Sequence, residues 1–265
     1  DVMRIVASIE YDGQSFHGWQ RQTDVPNVQS LIELALSSIA QSKITISAAG
    51  RTDSGVHALG QIIHFDTDVI RPINAWIKGV NSLLPSSIRI MWAQEVSDQF
   101  HSRYSVVTRE YQYLLINNPI NSALWNSYAG WNFYPLNYNL VYKACKKFIG
   151  EHDFSSFRSS ECQAASPVRE IYHFDVKQLD NDYIFTIRAN GFLHHQIRNM
   201  IGALILVGRE SKSPDFISLL LGQKDRKKAP PTFMPNGLYL TNIKYDDKWA
   251  LPLANNKLKF FGKSS

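Results

Sequence analysis

Arg51, Asp53 and His57 share one short segment, Ala49-Gly50-Arg51-Thr52-Asp53-Ser54-Gly55-Val56-His57-Ala58. It lies between two apolar, strand-like runs, Ile44 to Ser47 and Ile62 to Phe65. In an extended chain, residues two apart point to the same side. Arg51 and Asp53 are therefore expected on one face, with Thr52 on the other. Gly50 and Gly55 let the backbone turn or let another molecule approach closely. An acid with its own cation beside it, on a glycine-flanked loop, can be kept ionised and presented to a ligand. An arbitrary Arg-x-Asp would read as a surface ion pair, contributing roughly 0–1 kcal/mol.

The elements that must position this loop follow from periodicity. Residues 4 to 11 alternate like a strand and turn at Asp12-Gly13. Val28, Leu31, Ile32, Ala35, Leu36 and Ile39 recur at helical spacing, with Asn27 as the cap. Strands are expected at 44–48 and 60–67, a helix from Pro72 to Leu84, and a strand over 88–96. A second set starts near residue 105. It has a strand from Val106 to Ile116 and a helix face at Leu140, Val141, Ala144, Cys145, Phe148 and Ile149. Strands at 168–178 and 183–189 flank a hairpin turn at Asn181-Asp182. Helices follow at 195–208 and after Pro214, and a last strand runs from Leu238 to Tyr245. The alternation predicts an α+β fold, a largely antiparallel sheet with helices packed on it. The halves divide at 1–104 and 105–265. No Gly-x-Gly-x-x-Gly or Walker loop is present, which argues against nucleotide-cofactor folds.

Composition narrows the class. The 265 residues are 44% hydrophobic and 12% aromatic, ample for a packed core and unlike a disordered chain. No apolar run reaches the roughly 18 residues a membrane span needs. The opening Asp1-Val2-Met3-Arg4-Ile5-Val6 is too short an apolar stretch for a signal peptide, and the lack of methionine at position 1 implies preceding residues. Cys145 and Cys162 are too few for a disulfide framework or a structural zinc site, so a reduced, cytoplasmic setting is expected. His57, His64, His101, His194 and His195 lack metal-site spacing. His194 and His195, if helical, cannot face one ligand together. A formal charge of +5 permits nucleic acid as a partner without requiring it. The basic stretch from Gly222 to Thr232 reads as a solvated loop or a phosphate contact.

The decapeptide resembles the signature of the TruA family of tRNA pseudouridine synthases, Gly-Arg-Thr-Asp-x-Gly-Val-His. Further segments resemble the same family in the same order. They are Tyr11-Asp12-Gly13 with Gly18-Trp19-Gln20-Arg21-Gln22, Phe100 to Tyr104 leading into Arg109 to Tyr113, Asp153 to Arg158, Phe192 to Gly202, and Gly237 to Leu240. The resemblance implies a cofactor-free, metal-free enzyme of two similar α/β halves around a central basic cleft, working as a homodimer. Its partner is tRNA, in which it isomerises uridines 38, 39 and 40 of the anticodon arm. Two departures are small: Ser54 stands where the family often has alanine, and Gln112 where it often has a basic residue.

By the same resemblance Asp53 is the catalytic residue. A carboxylate can attack C1′ or C6 of the nucleotide, or abstract the C2′ proton. All three routes stay open. Breaking the glycosidic bond, turning the base and rejoining it through C5 gains and loses no atoms, so no cofactor is required. The target base must leave its stack to be reached. Arg51 and Arg198 are implied as electrostatic partners of Asp53, Arg51 alternatively reaching the RNA. Tyr111 is implied to stack on the uracil and Leu238 to pack against it from the other side, whereas Tyr113, a strand tyrosine on the same face as Tyr111, reads as a core residue. Phosphate candidates are Arg21, Lys78, Arg103, Arg109, Arg158, Arg169, Lys224, Arg226, Lys227 and Lys228. Phosphate contacts would position the RNA without reading its sequence.

Two other classes compete. A non-catalytic tRNA-binding protein on the same scaffold would be expected to lose Asp53 first. An aspartate-dependent hydrolase would need a second carboxylate or a metal cluster near Asp53. Asp66 and Asp68 lie beyond an intervening strand.

Overall fold

A computed structural model of the chain describes residues 1–16, 18–19 and 27–259. In chain order the elements are β1 (Met3–Tyr11), α1 (Val28–Ala40), β2 (Ser47–Ala48), β3 (His57–Thr67), β4 (Ile88–Val96), β5 (Val106–Asn117), β6 (Gly130–Asn132), α2 (Tyr138–Lys147), β7 (Gly150–Asp153), β8 (Val168–Leu179), β9 (Asp182–Ala189), α3 (Gln196–Gly208), α4 (Asp215–Gln223) and β10 (Leu238–Tyr245). The expected α+β architecture, mainly antiparallel strands flanked by helices, is what these elements form. Contacts group them into two compact units, residues 1–107 with 239–259, and residues 108–238.

In the first unit the strand order is β4-β1-β3-β10. The β1–β3 and β1–β4 pairs are antiparallel, and β10 joins β3 in parallel through Tyr239↔His57 and Leu240↔Ala58. Alternation in β1 sends Ile5, Ala7 and Ile9 to one side, and these are buried with Val6 in the core. Helix α1 begins where Asn27 accepts a hydrogen bond from the Ser30 N–H (2.9 Å) and buries Val28, Ile32, Ala35 and Leu36.

Two expectations here need correction. The strand expected at 44–48 is only Ser47–Ala48. Side chains of α1 take the donors a ladder would use. Ile44 N–H bonds to Ser37 Oγ (2.8 Å) and Ile46 N–H to the buried Glu33 Oε2 (3.0 Å). The helix expected to reach Leu84 ends by 81 and contains a π turn, Ala75–Gly79. Asn81 stops it by exchanging two bonds with the Ile90 backbone, at 2.9 and 2.7 Å.

His64, on β3 opposite Val6, is buried, and its Nδ1 accepts from the Ser102 N–H (3.0 Å). Burial first, then the charges of Arg4 and His101, push its pKa down to about 4. The imidazole is neutral in the fold at neutral pH. Between about pH 6.5 and 4 the unfolded chain therefore binds the extra proton, and stability falls as pH drops through that window. Urea unfolding at stepped pH is expected to show this loss, with a shallower slope in His64→Gln. Asp66, held low by the hydrogen bond from Arg4, adds a loss of the same sign at more acid pH.

In the second unit the order is β5-β9-β8-β7, all antiparallel, with β6 in parallel on β5. Phe148, Phe154, Phe157 and Phe174 are fully buried, and Phe148 contacts Phe157 and Phe174 with ring centroids 5.2 and 5.6 Å apart. Helix α3 closes this core with Met200, Ile201, Leu204 and Val207. The hairpin turn is centred on Asp180-Asn181, one residue earlier than expected. Leu179 pairs with Asp182, and Asp180 takes the left-handed conformation (φ 53°) that aspartate tolerates. Strands β6 and β7 were too short to show a period in the sequence.

Candidate active site

The segment carrying Asp53 is a loop held from beneath. Thr52 is buried, Arg51 exposed and Asp53 half-buried, the alternation expected of extended chain. After Asp53 the backbone reverses. Val56 N–H bonds to Asp53 O (3.1 Å), and Gly55 takes φ 83°, a value a side chain would strain. His57 and Ala58 already belong to β3 rather than to the loop.

The supports come from the first unit's own strands and N-terminal segment. Tyr11 Oη and Thr52 Oγ1 are 2.6 Å apart, and Trp19 N–H donates to Thr52 O (3.2 Å). Gln61 Nε2 donates to Gly50 O (2.8 Å). Gly13 N–H donates to His57 Nδ1 (2.9 Å), which leaves the proton of neutral His57 on Nε2. Asp12 Oδ1 is farther from that nitrogen, at 3.4 Å, and takes the Gln14 N–H at 2.9 Å. The His57 ring lies on Tyr239 (4.7 Å between centroids). Sequence reasoning missed Tyr11, Trp19 and Gln61 as supports. The available signal was that Tyr11 and Trp19 stand in segments resembling the same family as the loop.

In the second unit, Tyr111 is half-buried on β5 opposite Ile187, its ring edge-on to Phe192 (5.3 Å). Tyr113 is wholly buried, as expected of a core residue. Its hydroxyl donates to Met234 O (2.7 Å), and burial raises its pKa far above the usual phenol value. Arg198 lies early in α3, half-buried, with Nε on Phe233 O (2.8 Å), while Phe233 N–H returns to Arg198 O. Leu238 is buried at the start of β10, its N–H on Pro235 O (3.0 Å).

His194 and His195 require a correction. They precede α3 rather than lying on it. His195 has φ 63°, and the two rings stack with centroids 3.9 Å apart. The left-handed residue brings adjacent side chains to one side, which a helix would not do.

The basic candidates separate into groups. Arg109 and Arg169 converge on Gly191, where a Cβ would lie 4.0 Å from Arg109 Nη1 and 3.4 Å from Arg169 Nε. Burial lowers the Arg169 pKa, and the charges of Arg109 and Arg158 lower it further, so the three form one cationic cluster. Arg158 also caps the 162–164 turn, bonding Cys162 O and Ala164 O. Arg226 is different. Its guanidinium is turned inward onto Pro230 O (2.9 Å), Asn199 Oδ1 (3.0 Å) and Thr232 Oγ1 (3.3 Å), and burial lowers its pKa. Arg226→Ala is expected to destabilise the fold by about 1–3 kcal/mol in urea unfolding, since it leaves those acceptors without their donor. Lys, lacking the planar fork, is expected not to restore it. Lys78, Lys224, Lys227 and Lys228 are exposed, and Arg103 is exposed beside Tyr104. Arg21 lies outside the described residues.

A family model described as tRNA pseudouridine synthase matches residues 7–105 and 144–246 of this chain. Among curated relatives, a tRNA pseudouridine synthase A of Nitrosomonas eutropha is 48% identical over 253 residues, covering 96% of this chain and 91% of the relative. That of Methylobacillus flagellatus is 48% identical over 257 residues, 97% of this chain and 98% of its own. That of Thiobacillus denitrificans is 43% identical over 259 residues, 98% and 100% of the two chains.

Proposed function

This chain belongs to the tRNA pseudouridine synthase family, and on that premise we propose that it isomerises uridines 38, 39 and 40 of the tRNA anticodon arm through Asp53. Uridine isomerisation in tRNA is the activity of the family. The assignment of the target arm and of Asp53 rests on the resemblance. The observation that carries it is the Asp53 loop: a half-exposed carboxylate on a glycine turn whose backbone is fixed by buried partners. Such a group is presented without the entropy cost of ordering a mobile loop.

Arg198 and Arg51 serve as the cations that keep the carboxylate charged and oriented, Arg51 having the second option of an RNA contact. Tyr111 stacks on the extruded uracil and Leu238 packs on its other face. The Arg109, Arg158 and Arg169 cluster, with Arg103, Arg21 and Lys224, takes phosphates. Arg226 fits that role less well, because its guanidinium already serves the 229–232 segment. The reaction needs no cofactor. The enzyme works as a homodimer in the cytoplasm. Among the described residues no helix is long and apolar enough to cross a membrane.

The test is pseudouridine formation in unmodified tRNA bearing uridines at 38 to 40, without metal, by wild type and Asp53→Asn. Product at those positions from wild type alone supports the reading. Tight, salt-sensitive tRNA binding by both proteins with no product from either would replace it with a non-catalytic binding role.

A further inference from the structure

We propose that Tyr11 and Thr52 are positioning residues for the isomerisation, their hydroxyl-to-hydroxyl bond setting the main-chain torsions from which Asp53 is presented. The proposal rests on the reading of Asp53 as the catalytic carboxylate. Thr52 immediately precedes Asp53 and points the opposite way, into the core. Its Oγ1 is 2.6 Å from Tyr11 Oη, and its carbonyl, one peptide bond from Asp53, accepts from Trp19 N–H (3.2 Å). Gly50 O, on the other side of Arg51, accepts from Gln61 Nε2 (2.8 Å). The chain is thus pinned at Gly50, pinned twice at Thr52, and closed by the Asp53–Val56 turn. Rotation about the Thr52 backbone would swing the carboxylate as a lever, and the hydroxyl pair blocks that rotation.

Fold stability does not explain this pair. A valine and a phenylalanine of nearly the same shape would fill the same buried space without two hydroxyls to desolvate. What the hydroxyls add over that apolar pair is direction, because a bond between them has one geometry. Tyr11 and Trp19 also contact each other, with ring centroids 5.7 Å apart, so the end of β1 and the segment after it act on Thr52 as one body.

This separates positioning from packing experimentally. Tyr11→Phe and Thr52→Val each break the hydroxyl pair from one side, whereas the double variant removes both of its members. The urea unfolding midpoint is therefore expected to fall in each single variant and to recover in the double. The single-turnover rate at saturating tRNA is expected to fall about 10- to 100-fold in both singles and to stay low in the double. Apparent tRNA affinity is expected to hold within about twofold, and Thr52→Ser is expected to restore the rate. A rate that recovers together with the midpoint in the double variant would reduce the pair to packing and overturn the proposal. So would singles that turn over like wild type. Asp53→Asn is assayed in parallel. If it retains activity, the underlying assignment of Asp53 falls, whatever Tyr11 and Thr52 show.

Discussion

Asp53→Asn is expected to abolish pseudouridine formation while leaving tRNA bound. The substitution keeps the size of the side chain and removes its negative charge and its basicity. The turn that presents it survives, because that turn is closed by the Asp53 carbonyl and the Val56 N–H, both main-chain groups. Urea unfolding of the variant, run beside the assay, separates a loss of chemistry from a loss of fold. An amide can neither attack C1′ or C6 nor take the C2′ proton, so every open route is closed at once. A general base alone contributes on the order of 10²–10⁴ in rate, and the loss should reach at least the upper part of that range. Quenched single-turnover assays with a pseudouridine-specific readout measure it, and a binding titration at stepped salt checks that tRNA still docks. Retained turnover in Asp53→Asn would move the chemistry to another group. Wild-type enzyme on tRNA deuterated at C2′ then separates the routes, since only proton abstraction breaks that bond in the slow step.

The local geometry of the Asp53 loop was legible in the chain, whereas its supports were not. Alternation alone placed Arg51 and Asp53 opposite Thr52, because period-two geometry is local and the loop is extended there. The α1 cap at Asn27 was legible for the same reason: a capping side chain acts within three residues of itself. The supports are long-range. Tyr11 meets Thr52 across 41 residues of sequence, and no periodicity encodes which strand end meets which loop. The truncated strand at 44–46 shows tertiary override of an apolar pattern. Ile44 and Ile46 are buried as a strand pattern predicts, yet Ser37 and Glu33 of α1 supply the acceptors that a neighbouring strand would have offered. The stacked His194 and His195 were misread because one left-handed residue, His195, redirects both rings, and helical periodicity carries no sign of it. Arg226 was grouped with its basic neighbours by charge and by the resemblance. Only the fold shows its guanidinium turned onto carbonyls, while Lys227 and Lys228 remain in solvent.

Gly13→Ala is expected to damage fold and activity together, more than any other single methyl added near this loop. A Cβ at position 13 would sit 2.0 Å from Val56 O and 2.6 Å from Val56 C. Both are main-chain atoms, so no rotamer change relieves the overlap and one segment must move. Moving Gly13 breaks the hydrogen bond its N–H gives His57 Nδ1, and with it the link between the N-terminal segment and β3. Moving Val56 disturbs the turn that closes on Asp53. Overpacking of a buried site costs about 1–3 kcal/mol, and a clash with backbone belongs at or above the top of that range. A displacement of the carboxylate by about 1 Å would cost around a hundredfold in rate on top of that. Gly222→Ala supplies the contrast. It lies in α4 with no atom within 4 Å of its added Cβ, and alanine there should stabilise by up to about 1 kcal/mol through helix propensity. Urea unfolding and single-turnover pseudouridine formation, run on both variants, separate the outcomes. A Gly13→Ala protein as stable and as fast as wild type would mean that the Gly13 and Val56 backbones do not meet in solution. The loop would then owe its shape to its other contacts, those at Thr52 and Gly50 among them.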